Sequence, residues 1–327
     1  MINAKVLVTA GGGIVAQGII KSLKLANLSD NAPVKYRITA ADMNAQAAGL
    51  YRCDKGVLLP PAVSDEYVDS LLRIAKKEDI DAIFVGSDEE ISRVGNSRER
   101  IETETGAKVL ISPKRVLDIA RDKWKTYLFL KENNLDVAAS TLPENADEFV
   151  RGFGYPTVVK PREGYGSLNF HVVRSNSEMD QAISSIRRAG WHPIIQEYIP
   201  ESYPEYTSGI TIDKRGKYVM SSVSIKKTLK SGQTYKAFID DYQDVRRPSE
   251  KAGIKLGGIG SINIQGKLVG GSLKIFEVNP RFSATCPMRS VAGINEPDIV
   301  FRNSVLDEEI RLTEYKRLVC MRYWNEV

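Results

Sequence analysis

At 327 residues the chain exceeds one typical domain, and 42% hydrophobic with 27% charged residues is the balance of an ordinary folded protein of two or three domains. The net charge of +5 is scattered in short pairs (Lys76-Lys77, Arg187-Arg188, Lys226-Lys227, Arg246-Arg247), which speaks against nucleic acid and suits a small anionic substrate. Two histidines, three widely spaced cysteines, no N-terminal apolar signal core and no run of 18 apolar residues argue against a histidine-rich metal site, a disulfide framework, secretion and membrane spanning, so the expected location is the cytoplasm.

In chain order, Lys5–Thr9 reads as a buried strand, followed by Gly11-Gly12-Gly13 and a helical run from Ile14 to Leu25. Arg37–Asp42 and Lys55–Leu59 are further strands. Asp65–Lys77 is a helix with Val68, Leu71, Leu72 and Ala75 on its apolar side, and Asp81–Val85 and Lys108–Ile111 are two more strands. Strands separated by helices predict a parallel, doubly wound sheet. The three glycines, Ala16 in the last place of a dinucleotide pattern and Asp42 at the end of the second strand allow an NAD site. The other reading is a tight turn that lets backbone approach a substrate or a facing domain. Past the fourth strand, Ser87 and Asp88 are candidates for a substrate contact, with helix capping as the plainer role.

Ser112 is expected to cap a helix opened by Pro113, and Asp122–Asn133 forms a second helix. A strand over Thr157–Val159 then delivers Lys160, Pro161 sets the exit, and Arg162–Ser167 is a glycine-rich loop before a strand at His171–Val173. A restrained lysine beside a loop rich in backbone N–H groups suits two neighbouring phosphates. Pro193–Ile199 is a strand running into a linker, and Pro204–Thr211 resumes a strand. Glu197 and Glu205 flank that linker and, taken alone, are exposed carboxylates. Tyr218–Asp241 alternates as an antiparallel hairpin turning at Lys230–Gln233, with Lys226, Lys227 and Lys236 as candidate phosphate contacts.

The last informative stretch pairs Gly260–Gln265 with Lys274–Ser283 through a turn at Gly270-Gly271. Glu277 and Asn279 share one strand face, as do Asn263 and Gln265 on the neighbour; Pro280 stops the second strand and leaves Arg281 at its mouth. Gln265, Glu277 and Asn279 together make a set of hard oxygen donors with one carboxylate. That suits Mg2+, which completes its shell with water and substrate phosphates. A polar outer face on an antiparallel pair is the bland alternative.

Ile262-Asn-Ile-Gln265 followed by Phe276-Glu-Val-Asn-Pro-Arg-Phe-Ser283 resembles the metal-binding end of ATP-grasp enzymes, in the branch of the carbamoyl-phosphate synthetase large subunit and its stand-alone relatives. The resemblance covers essentially the whole chain and is strongest from Pro156 to Ser283. It implies an α/β and α+β fold in three parts: an N-terminal doubly wound domain at 1–111, a subdomain with the glycine-rich lid at 112–195, and a metal-site subdomain at 196–327. ATP would lie between the last two.

The resemblance further implies that Lys123 and Lys160 hold phosphates and that Gly164, Gly166 and Ser167 form a lid over them. Gln196, Glu197, Tyr198 and Ile199 would line the adenine edge, the Glu197 carboxylate and the backbone beyond it reading the amino group, and Glu205 would bind the ribose. Gln265, Glu277 and Asn279 would bind two Mg2+ (or Mn2+) ions, while Arg281, Lys160 and Lys236 would act in catalysis. The implied activity is ADP-forming carboxylate activation as an acyl-phosphate, captured by an amine or thiol. The implied partners are small carboxylates and amines and a second copy of the chain, with no nucleic acid or membrane. A kinase-like or carbamoyl-phosphate-type reaction and a nucleotide-binding regulatory protein are the alternatives. Ala284-Thr285-Cys286-Pro287-Met288 replaces the usual glycine-threonine continuation of the family, so the resemblance names no particular acid or amine.

Overall fold

The computed structural model describes residues 1–164, 169–230, 232–323 and 326–327. Its first unit contains β1 (Ile2–Val8), α1 (Ile14–Asn27), β2 (Val34–Asp42), β3 (Lys55–Leu58), α2 (Tyr67–Glu78), β4 (Ala82–Phe84), α3 (Asp88–Asn96), α4 (Arg98–Thr105) and β5 (Lys108–Val109). The strands run parallel in the order β3-β2-β1-β4-β5. Val6, Leu7 and Val8 are fully buried and divide between apolar layers on the two sheet faces, which is why β1 is a continuous apolar run. The order reverses between β1 and β4. The Gly11–Gly13 turn and the Gly86–Asp88 turn therefore lie side by side at the strand ends, where ligands of such sheets bind.

The second unit is a four-stranded antiparallel sheet with helices on one face. α5 (Lys114–Ala120) and α6 (Lys123–Glu132) precede it; β6 (Ser140–Thr141), α7 (Ala146–Phe153), β7 (Thr157–Pro161), β8 (His171–Val173), α8 (Asn176–Arg188) and β9 (Pro193–Glu197) build it, in strand order β6-β9-β7-β8. Phe149, Met179, Ile183 and Ile186 seal one face.

β10 (Glu205–Ile212), β11 (Val219–Lys230), β12 (Gln233–Ile239), α9 (Gln243–Leu256), β13 (Gly260–Val269), β14 (Ser272–Asn279), α10 (Cys286–Val291), α11 (Glu296–Leu306) and β15 (Leu318–Met321) form the third unit. Its six strands are antiparallel in the order β14-β13-β10-β11-β12-β15.

Several expectations need revision. Ser112 caps nothing: its hydroxyl is buried, donating to the carbonyl of Ile259 at 2.8 Å and accepting from that residue's N–H. The expected division after residue 195 falls inside β9. Nor do α5 and α6 belong to the lid sheet. Val116, Ala120 and Leu130 pack with Ile210, Ile264, Val278 and the α9 residues Val245, Ala252 and Leu256 behind the third sheet. The first and third units also share a core, in which Ile19, Leu23 and Phe84 meet Phe282, Met288, Phe301 and Val223.

Candidate active site

The β13–β14 register sets Gln265 opposite Glu277 and Asn263 opposite Asn279. Residues directly opposite in an antiparallel pair point to the same face, so four polar side chains gather there. β10 and β11 extend the patch: Thr207 pairs with Gln265, and its hydroxyl donates to Asn263 Oδ1 at 2.7 Å. Two residues earlier on the same face, Glu205 binds Lys227 Nζ at 2.7 Å. Lys227 also donates to Gln265 Oε1 at 2.5 Å, and Gln265 Nε2 donates to Glu277 Oε2 at 2.5 Å. One hydrogen-bonded chain thus runs from the expected ribose acid to the expected metal carboxylate.

Gly209 faces Asn263 in this register, and the lack of a side chain there is required. A Cβ would come within 1.9 Å of Glu296 Oε1 and 2.3 Å of Arg289 Nε. Arg289 and Glu296 form a fully buried ion pair at 2.5 Å, and Arg289 also donates to Thr285 at 2.9 Å, which pins the turn leaving β14 beneath the polar patch.

Lys160 arrives from the second sheet. Its Nζ donates to Gln196 Oε1 at 2.8 Å, Gln196 Nε2 donates to Ser140 Oγ at 2.9 Å, and the ammonium lies 5.7 Å from the centre of the Phe276 ring on β14. Burial first, and the charge of Lys123 second, push its pKa down to about 7, against the opposing pull of Glu277 and Glu205. Lys123 follows Asp122, which caps α6 by accepting from the N–H groups of Trp124 and Lys125. The Lys123 ammonium donates to the carbonyls of Gly164 at 2.9 Å and Arg162 at 3.3 Å, while Arg162 grips Asp122 through two hydrogen bonds. Gly164 has a φ of 137°, a conformation that glycine permits. Gly166 and Ser167 lie outside the described residues.

Three expected residues sit differently from their assigned roles. The Glu197 carboxylate is held by Lys274 at 2.7 and 3.0 Å and by the Ala139 N–H at 2.9 Å, so it ties the linker to β14. Beyond it, the carbonyl of Ile199 accepts from Lys267 at 2.8 Å, which fixes the backbone around Tyr198. Gln196 is buried and faces Lys160. Lys236 is out of step with Ala237, the buried partner of Lys227, and shares its face with Phe238, on the side of the sheet away from the polar patch. Lys227 stands in the patch instead.

Arg281 crosses to the first unit, with Nε 2.8 Å and Nη2 2.6 Å from the two Asp88 oxygens. Asp42 accepts from the Gly12 N–H at 2.8 Å, so its carboxylate occupies the glycine turn where the NAD reading would place a dinucleotide.

Residues 120–285, half of the chain, match the model of the ATP-grasp domain, and residues 14–110 match that of the PylC-like N-terminal domain. The chain belongs to the ATP-grasp family. It is 27% identical over 232 residues to the carbamoyl phosphate synthase large chain of Helicobacter pylori strain 26695 and 28% identical over 249 residues to that of Clostridium acetobutylicum. These alignments take in 65% and 70% of this chain but only 21% and 22% of those proteins, so the chain spans about a fifth of their length. Its fold is that of N5-carboxyaminoimidazole synthetase from Staphylococcus aureus complexed with ADP (TM-score 0.73, 13% identity, 98% of this chain and 82% of that one). It is also that of a biotin carboxylase–ATP complex from Campylobacter jejuni (TM-score 0.72, 17% identity, 91% and 70%).

The donor chemistry of the patch fits a hard divalent ion. Among the described residues no cluster of three or more histidine, cysteine, aspartate and glutamate side chains converges. Glu277 is instead flanked on the same sheet face by the amide side chains of Gln265, Asn263 and Asn279, whose oxygens are hard donors of the kind a divalent ion takes where substrate phosphates complete the shell. Among the described residues no helix is long and apolar enough to cross a membrane.

Proposed function

We propose that this chain is an ATP-dependent, ADP-forming carboxylate–amine ligase of the cytoplasm. The observation that carries the reading is the meeting of a buried lysine, Lys160, which has no ion-paired carboxylate among the described residues, with Glu205, Glu277 and the amides of β13 and β14. Lys160 takes the phosphates of ATP as a point charge, and Lys123 holds the carbonyl of Gly164 beside it. Glu205 receives the ribose, exchanging Lys227 for its hydroxyls. The backbone of Tyr198 and Ile199 reads adenine, because the Glu197 carboxylate is already engaged. Glu277, Asn279 and Gln265 would hold Mg2+ or Mn2+, two ions in all, which when bound offset the charge of the β- and γ-phosphates.

A carboxylate oxygen of the substrate attacks the γ-phosphorus, the bond to ADP breaks, and an acyl-phosphate forms. Positioning and charge neutralisation supply the acceleration. An amine nitrogen then attacks the acyl carbon, phosphate leaves with the bonding pair, and the amine proton passes to solvent. Arg281, which follows β14, would neutralise charge on the transferring group. A pair of such chains is the assembly we favour, as a homodimer.

The test is ADP release across a panel of amino acids, sugar acids and other carboxylates, with and without amines, and product masses. Carboxylate-dependent ADP release with a product carrying both acid and amine is expected. ADP release indifferent to amines, with a phosphorylated acid as product, would favour a kinase-like reaction, and no Mg2+-dependent nucleotide binding would overturn both.

A further inference from the structure

Arg162 holds the Asp122-Lys123 step from two sides. Its guanidinium grips the Asp122 carboxylate, Nε at 3.2 Å from Oδ1 and Nη2 at 2.5 Å from Oδ2, and both side chains are mostly buried. Its backbone carbonyl accepts twice from Lys123, from the N–H at 3.0 Å and from the ammonium at 3.3 Å. Arg162 is itself anchored, because its N–H donates to the carbonyl of His192 at 2.7 Å, just ahead of β9. Only Pro161, the last residue of β7, separates it from Lys160, and the proline ring fixes φ there. The start of α6 and the exit of β7, 40 residues apart in the chain, are thus locked in one frame. These contacts decide where the Lys123 ammonium stands. The carbonyls of Arg162 and Gly164 take up two of its three N–H donors and leave the third. Both acceptors are neutral, so they orient the ammonium without balancing its charge. A lysine stem left unheld samples many rotamers, and holding it in advance lowers the ordering cost of binding an anion.

We propose that Arg162 is a positioning residue: clamping Asp122 with its side chain and Lys123 with its carbonyl, it holds the Lys123 ammonium at the exit of the strand that carries Lys160, ready for phosphate. The inference rests on the ligase reading in taking phosphates as what Lys123 binds, and it adds a residue to which that reading gives no role. Asp122 caps α6 through the N–H groups of Trp124 and Lys125 whether or not Arg162 is present, so loss of the guanidinium loosens the tie to β7 and leaves the cap.

The test is a double-mutant cycle of Arg162→Gln and Lys123→Met on the full chain, with the dissociation constant of ADP in the presence of Mg2+ read by titration calorimetry. Arg162→Gln is expected to raise that constant about tenfold, within the range for coupled residues. Arg162→Lys, which keeps the charge without the paired bonds, should raise it about threefold. In a Lys123→Met background, where Lys160 still receives phosphate, Arg162→Gln should matter less than about twofold, since no ammonium remains to be placed. Should thermal unfolding show that Arg162→Gln does not fold, Arg162→Lys goes through the same cycle, and its effect should vanish without Lys123. An unchanged dissociation constant overturns the proposal. So does an equal loss with and without Lys123, which would make Arg162 a structural residue of the strand exit. Failure of the unmodified chain to bind ADP would overturn the ligase reading itself, an outcome distinguishable from the other two.

Discussion

Two buried lysines meet the site from different sheets and are partnered in opposite ways. Lys227, on the six-stranded sheet, has the Glu205 carboxylate at 2.7 Å and Gln265 at 2.5 Å, so its charge is balanced. Lys160, on the four-stranded sheet, has the neutral Gln196 amide and the Phe276 ring but no ion-paired carboxylate among the described residues, and burial brings its pKa to about 7. An ammonium left without a counter-ion in a buried site is poised for an anion from outside, whereas a balanced one organises its neighbours. On the proposed reading, Lys160 would capture phosphate, and Lys227 would brace the residues expected to bind ribose and metal.

The largest effect expected comes from Glu277, whose charge acts on Lys160 and which is hydrogen-bonded to the Gln265 that Lys227 also binds. Glu277→Gln should lower ADP release by roughly 10³-fold at ordinary Mg2+, because on the proposed reading several kcal/mol of charge stabilisation depend on the ion it would hold. Circular dichroism and thermal unfolding should stay near those of the unmodified chain. Near-normal turnover would remove Glu277 from the ligand set.

Arg281→Lys should follow, with a loss of roughly 10² to 10³ in single-turnover acyl-phosphate formation, or about 2.7–4 kcal/mol. An ammonium cannot hold Asp88 by two bonds while facing the substrate. Lys123 and Lys160 remain, so MgATP affinity should change little. Lost affinity with an unchanged chemical step would move Arg281 into nucleotide binding.

Lys160→Met should weaken ADP binding by about 1.5–3 kcal/mol, the worth of a charge-assisted contact. A pH signature sharpens the case. Because the pKa of free Lys160 is about 7, below the ordinary lysine value, the side chain is largely neutral at pH 8.5 and charged at pH 6. Phosphate binding favours the charged form, so ADP should bind with proton uptake at pH 8.5, with little uptake at pH 6, and with affinity falling as pH rises above 7. Calorimetry in two buffers of different ionisation heat reads this directly. The same uptake in Lys160→Met would assign it to another group.

The smallest effect should come from making the two lysines alike. Gln196→Glu supplies Lys160 with a counter-ion and returns its pKa toward the ordinary lysine range. ADP affinity should fall by about 0.5–1.5 kcal/mol, the scale of one exchanged hydrogen bond, and the proton uptake at pH 8.5 should disappear. Persistence of that uptake would break the contrast drawn between Lys160 and Lys227.

Much of the architecture is legible from local pattern. The apolar runs Val6–Val8 and Ala82–Phe84, alternating with amphipathic helices, specify a parallel sheet because such strands must be buried on both faces. Gln265, Glu277 and Asn279 meet because period-two alternation and the glycine turn at 270–271 act over adjacent strands, where sequence distance and spatial distance coincide. α9 is less legible from local pattern, since Pro248 lies inside it, although Val245, Ala252 and Leu256 keep one face apolar.

Tertiary packing decided the rest. Which lysine of the β11–β12 hairpin faces the site depends on which sheet face the first unit covers, and that core, formed by Ala237 and Ile239 with α1, α10 and α11, turns Lys236 away. Glu197 finds Lys274, Ser112 finds Ile259 and Arg281 finds Asp88 across separations of 77, 147 and 193 residues. Alternation and capping rules act within a few residues, so they identify a charged or polar group without naming its partner. Choosing among distant partners is left to the desolvation cost of burying that group, which only the assembled fold determines.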